Sequence, residues 1–257
     1  MTDRRAPATF SISAAWDDAV AMLRTNAGLL TAIAGVFIFL PTLLVARYVP
    51  EPAAAGPDLA VFMQTMSDYY GRAWPWLLLG TLANMIGVIA IYLLLLKSPR
   101  LTVGAAVGRA LPILPFYFVV AFVTNLALFA GFLLFIVPFV FLLGRLVLAG
   151  PVLTTEQPTA PFTALQRSWE LSRGRGWGIA LLIILVYLGA LLLSFAITRG
   201  VGSIALLALG GAEGIGGLVV AILEALMTAA IALVTAVLVA AIYRATTARV
   251  DLGKTFN

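Results

Sequence analysis

Along the chain, six long apolar stretches alternate with short segments in which polar and apolar positions mix. A helix needs about twenty apolar residues to cross roughly 30 Å of hydrocarbon. Residues 27–47, 74–96, 114–134, 137–153, 177–197 and 217–243 meet or approach that length. Pro41 predicts a kink in the first stretch and Pro138 opens the short fourth. The third and fourth are separated only by Phe135 and Ile136, which predicts a tight antiparallel hairpin. The pattern predicts an all-α, polytopic fold in a single integral membrane domain over residues 1–257.

Three segments of a different pattern precede the first, third and fifth stretches. Residues 13–26 place Trp16, Val20 and Leu23 on one helical face, with Asp17, Asp18 and Arg24 elsewhere. Residues 102–110 form a shorter version around Val103, Val107 and Arg109. Residues 162–173 set Phe162, Leu165 and Trp169 against Gln166, Arg167, Glu170 and Arg173. Such spacings predict helices lying in the membrane interface, in segments 1–26 and 154–176 among others. Each leads into a pair of spans, so a threefold repeat of helix plus hairpin is one reading. Chance likeness among short amphipathic patterns is the other.

Two further segments do not span. Residues 48–73 predict an outer loop containing an amphipathic helix from Asp58 and the aromatic residues Tyr69 and Tyr70; Trp74 and Trp76 follow. An aromatic belt explains these rings, and a periplasmic binding site is the alternative. Residues 200–217 hold seven glycines around a six-residue apolar core. That core is too short to cross and predicts an interfacial or partly re-entrant turn.

Composition agrees with the pattern. Hydrophobic residues make up 62% of the chain and charged residues 11%, where a soluble domain carries about a quarter charged. The net charge of +5 acquires meaning from its placement. With the N-terminus inside, cytoplasmic segments hold Arg4, Arg5, Arg24, Lys97, Arg100, Arg109, Arg167, Arg173, Arg175, Arg244, Arg249 and Lys254. Outer segments hold only Arg47, Arg72 and Arg199. This asymmetry predicts cytoplasmic N- and C-termini. It points to anionic lipid rather than nucleic acid as the partner of the basic residues. The first residues lack the apolar core of a signal peptide, so the N-terminus is expected to stay in the cytoplasm.

Four polar side chains fall within the spans: Asn84, Asn125, Arg145 and Glu224. A charge at a lipid-facing central position costs roughly 2.5–3.5 kcal/mol on insertion scales. Arg145 and Glu224 are therefore expected to face the protein interior and to pair, with the two amides extending the network. A helix-to-helix clamp and a substrate or ion site are the two readings of such a group.

Little else offers chemistry. Without histidine or cysteine, zinc sites, thiol chemistry and histidine bases are removed. The acidic residues are scattered, and the glycines at 210–217 lack the lysine of a phosphate-binding loop. No base stands ready to activate a serine. The expectation is a protein that is not an enzyme and carries no cofactor or metal. Gly144, Gly150 and Gly189 permit close helix contacts without deciding the oligomeric state.

One stretch carries a family resemblance. It contains Arg145 within a span, Leu148-Ala149-Gly150-Pro151, Glu156, Ala164-Leu165, Ser168-Trp169-Glu170-Leu171-Ser172, Gly174 and Trp177. This pattern resembles the YciC-like bacterial inner-membrane family and the related membrane domain fused to some glycerophosphoryl diester phosphodiesterases. The resemblance implies an all-helical polytopic domain of poorly defined function. The hydrolase activity of the fused proteins belongs to a separate soluble domain, so no catalytic residue carries over. Arg145, Pro151, Glu156, Ser168 and Trp169 carry over as signature positions. Trp169 and Trp177 with Arg167, Arg173 and Arg175 either anchor the chain to the membrane or form a phospholipid-headgroup site. The first expectation is a phospholipid-interacting protein of the bacterial inner membrane, involved in envelope organisation. A transporter or flippase-like carrier of a lipid or amphiphile is the second.

Overall fold

The computed structural model describes residues 11–49, 58–97, 101–156, 159–211 and 214–255, with side chains to residue 248. Among them the chain is helical throughout and forms no strand. Six helical runs are long and apolar enough to cross a membrane: Ala27–Tyr48, Leu59–Lys97, Val103–Leu134, Ile136–Thr155, Gly176–Ala208 and Ile215–Ala248. The molecule is an all-α polytopic membrane protein.

The first amphipathic segment forms α1 (Ile12–Thr25), capped by Ser11, whose side chain accepts from the Ala14 amide. The first span is α2 (Ala27–Ala34) and α3 (Leu40–Tyr48), joined by a π-helical turn at Gly35–Phe39. Pro41 follows that turn. It has no amide to donate and its ring crowds the preceding turn, and one wider turn relieves both.

The segment expected as an outer amphipathic helix is the first part of α4 (Leu59–Tyr92). Helix α4 runs on through Pro75 into a π turn at Leu93–Lys97. Residues 50–57 of the expected loop lie outside the described residues. Helix α5 (Val103–Ala110), capped by Thr102, passes through a 3-10 turn containing Pro112 into α6 (Leu114–Leu134).

Phe135 alone is extended between α6 and α7 (Ile136–Leu146). That pair is the expected hairpin, and a Cβ on Gly131 would lie 2.9 Å from Leu142. Helix α7 stops at Val147–Leu148 before α8 (Ala149–Thr155). Pro151 explains the break: its ring clashes with the carbonyl four residues back, that of Val147, and it offers that carbonyl no amide.

Helix α9 (Pro161–Leu171) follows, then α10 (Gly176–Ala208) and α11 (Ile215–Thr255). The first half of the glycine-rich segment expected as an interfacial or partly re-entrant turn is the continuation of α10. Gly210 and Gly211, at φ 89° and 77°, make the reversal, a backbone region open to glycine at no steric cost.

The contacts divide into two compact units. One contains Met1–Ala27, Ile89–Tyr187 and Val234–Asn257; the other contains Gly28–Val88 and Leu188–Leu233. In the first unit Leu148, Leu153, Ile179, Leu238 and Ile242 are fully buried. In the second, Leu30, Ile33 and Ile38 are buried, and Gly87 lets the backbone approach Phe37.

The three short helices share a register that their apolar faces do not reveal. Counting from the N-cap positions Ser11, Thr102 and Ala160, the fourth residue is Ala15, Ala106 and Ala164. The eighth is Ala19, Ala110 and Ser168, and the eleventh is Met22, Ile113 and Leu171. All nine are buried. Trp16 and Phe162 point outward, and Trp169 is part-exposed against α7. The inner face is thus built of small residues at its first two levels and of a large apolar one at the third, and small residues let helix backbones approach in a lipid setting. The aromatic face is left for the surroundings.

Candidate functional site

The residues of the Arg145–Trp177 stretch converge where α7 and α9 meet, within the first unit. The break after α7 leaves the Arg145 carbonyl short of its usual helical amide. Ser168 Oγ donates to that carbonyl at 2.7 Å, and Ser172 Oγ lies 3.4 Å from it. In return, Arg145 Nη1 donates to the Trp169 carbonyl, one of the last in α9, at 3.3 Å. A cation at a helix C-terminus also meets the negative end of the macrodipole. Each helix thus caps the other.

Aromatic rings enclose the guanidinium. Its central carbon lies 5.2 Å from the centroids of both Phe141 and Trp169. Phe141 in turn packs edge-on to Trp169 at 5.6 Å and against Trp177 at 6.4 Å. Cation–π contacts contribute about 0.5–2 kcal/mol, most where water is excluded. Arg145 Nε is buried with no hydrogen-bond partner.

Glycines set the approach. A Cβ on Gly144 would lie 2.7 Å from the Gly176 carbonyl carbon, so α7 and the start of α10 touch backbone to backbone. Gly174, at φ 77°, turns the chain from α9 toward α10. Gly150 rests against the rings of Tyr92 and Tyr117, 3.2–3.3 Å from where its Cβ would be.

A second polar group sits at the end of α8. Glu156 accepts from the Tyr243 hydroxyl of α11 at 2.7 Å and from Arg167 Nε of α9 at 3.2 Å. Arg167 also reaches Glu170 at 3.4 Å, and Thr155 Oγ1 lies 2.9 Å from the Tyr243 hydroxyl. Nearby in sequence, Arg244 pairs with Asp18 of α1 at 3.5 Å. Helix α11 is thereby tied to α1, α8 and α9.

Beside the joint, α6, α7 and α9 frame a groove of about 570 Å³. Val123, Ala127, Leu142 and Leu146 form its apolar wall; Gln166 and Glu170 on α9, with Arg173 in the turn after it, form a polar rim. Among the described residues Arg173 makes no ion pair.

The other expected positions fall elsewhere. Pro151 is buried in α8, where it causes the break. Asn125 donates to the Ala121 carbonyl of its own helix at 2.8 Å, on an exposed face. Asn84 lines a groove with Thr42, Val45 and Thr81 in the second unit. Glu224, expected to face the interior, is exposed on α11 and lines another groove with Arg199. Arg145 belongs to the first unit and Glu224 to the second; the four polar residues do not fall in one unit. Of the expected headgroup contacts, Arg167 is engaged by Glu156 and Glu170, Arg173 is on the groove rim, and Trp177 is exposed beside Phe141. Arg175 is half-exposed in the turn before α10.

Sequence reasoning missed Tyr243, Thr155 and Phe141, and gave Ser172 no role beyond its place in the family pattern. Phe141 is one turn before Arg145, a detectable signal because residues four apart share a helix face. Tyr243 gave none, since its partner Glu156 is 87 positions away.

No family model matches the chain, and no solved structure matches it. What stands at this point is the class: a polytopic, all-α membrane protein with a built joint between α7 and α9.

Proposed function

We propose that this is a non-enzymatic protein of the bacterial inner membrane, allied to the YciC-like family, that engages phospholipid on its cytoplasmic side. The observation that carries the reading is the groove between α6, α7 and α9. Its wall is apolar and its rim polar, the division of a phospholipid. Glu170 is offset by Arg167, which leaves Arg173 as a cation facing the rim. A juxtamembrane basic residue gains about 1 kcal/mol near anionic lipid. The groove opens to the side rather than enclosing a chamber, which favours a lipid resting at the surface over one carried through the protein. The joint at Arg145 serves as the rigid support of this groove.

The test is native mass spectrometry of the full chain released from membranes of mixed phosphatidylethanolamine and phosphatidylglycerol. Leu142→Trp, which fills the groove, and Arg173→Gln, which removes its cation, should each reduce bound phosphatidylglycerol severalfold. Unchanged anionic lipid in both variants would remove the basis of the proposal.

A further inference from the structure

Helices α10 and α11 are too long for the membrane they cross. They run for 33 and 41 residues, roughly 50 Å or more each, against roughly 30 Å of hydrocarbon. The polar end of this pair is marked by Trp177 on α10 and by Tyr243 and Arg244 on α11. Arg199 lies 22 residues from Trp177, about 33 Å along the helix. Glu224 lies 20 residues from Arg244, about 30 Å along its own. With Trp177 and Arg244 taken at one membrane face, that rise carries both charges to the headgroup level of the opposite leaflet. On the same count the helix continues past that level to Leu207, which is 88% exposed.

At that level α10 and α11 share a groove of about 670 Å³ lined by Arg199, Glu224 and the hydroxyls of Ser194, Thr198 and Thr228. Leu191 and Leu192, also in its lining, lie about 11 Å deeper along α10. Among the described residues neither charge makes an ion pair. Arg199 instead rests over the Phe195 ring at 5.6 Å. Two opposite charges in one groove, not joined to each other, are complementary to a ligand that carries both.

We propose that this groove binds a zwitterionic phospholipid, with the phosphate on Arg199, the ammonium on Glu224 and an acyl chain along Leu191 and Leu192. The site stands on α10 and α11 alone and does not depend on the groove at α9. A free zwitterion would lack the apolar part, and an anionic lipid would leave Glu224 facing a like charge.

The full chain, reconstituted in equal phosphatidylethanolamine and phosphatidylglycerol, is examined by native mass spectrometry. The wild type retains phosphatidylethanolamine in preference to phosphatidylglycerol. Arg199→Gln and Glu224→Gln each lower that retention about tenfold, the scale of one charged hydrogen bond, and Glu224→Gln shifts the preference toward phosphatidylglycerol. Leu192→Trp fills the apolar part while keeping both charges, and it lowers retention as well. Glycerophosphoethanolamine, which has the headgroup without chains, fails to compete; if it competes equally, the acyl part of the proposal falls. No preference in the wild type, or a preference unchanged in Leu192→Trp and in whichever charge variants fold, overturns it. A two-chain species lost in both charge variants and restored by Arg199→Glu with Glu224→Arg, without enriched lipid, overturns it in favour of a second copy as the occupant.

Discussion

Ser168 donates its hydroxyl proton to the main-chain carbonyl of Arg145 at 2.7 Å, while the Arg145 guanidinium donates to the carbonyl of the next residue, Trp169. Ser168 is fully buried, so its bond has no competing water. The pairing turns two helix ends, each a source of unsatisfied carbonyls, into one joint. Ser168→Ala leaves the Arg145 carbonyl underbonded and should cost about 1–3 kcal/mol. Arg145→Gln should cost a similar amount through the lost cap and ring contacts. Thermal or denaturant unfolding in detergent checks both. The two losses should fall short of additive, because contacting residues couple; full additivity would show that the caps act independently.

How much of this joint the sequence revealed depends on which interaction is considered. The break at Val147–Leu148 was implicit in Pro151, and the hairpin turn at Phe135 in the interrupted apolar run. The burial of Ala164 and Ser168 was not legible from hydrophobicity, which selects Phe162, Leu165 and Trp169 as the buried face. In lipid, apolar side chains need no shelter from water, and small residues give the closer packing. Likewise the drop in hydropathy near Trp74 and Gly200 marks a change of surroundings. It does not end a helix, because each turn still satisfies its own backbone. Glu224 differs from expectation in its surroundings: read as a buried charge within a span, it is exposed on α11 and lines a groove with Arg199.

Glycine substitutions separate packing from propensity. A Cβ on Gly144 collides with the Gly176 carbonyl, whereas one on Gly189 has nothing within 4 Å. Gly144→Ala should therefore destabilise the protein by about 1–3 kcal/mol through overpacking. Gly189→Ala should be neutral or stabilising by about 1 kcal/mol, since alanine is the better helix former. The yield of folded protein and its melting temperature distinguish the pair. Equal behaviour of the two variants would contradict the backbone contact between α7 and α10.

Glu156 gathers α8, α9 and α11 through Tyr243 and Arg167. The ion pair is about 30% exposed on each side, so screening limits its contribution to about 1 kcal/mol or less. The shorter bond from Tyr243 should contribute more, about 1.5–3 kcal/mol for a hydroxyl on a carboxylate. Tyr243→Phe should accordingly destabilise more than Arg167→Gln, and only the latter should weaken with added salt. In Glu156→Gln the effect of Tyr243→Phe should shrink. A double-mutant cycle read by thermal unfolding at low and high salt checks this ranking.

The chain contains no cysteine, so single cysteines report depth without a background. Leu207 at the end of α10 and Thr163 on α9 are both exposed, as is Leu188 within the span. With the basic segments on the cytoplasmic side, Leu207→Cys should react with a membrane-impermeant maleimide in intact cells. Thr163→Cys should react only after permeabilisation. Leu188→Cys, 11 residues beyond Trp177 and so about 17 Å along the helix, should resist labelling in both states. Reversed reactivity of Leu207 and Thr163 would invert the orientation. An inert Leu207 in both states would mean that α10 tilts to fit within the bilayer, and would draw Arg199 and Glu224 below the headgroup level.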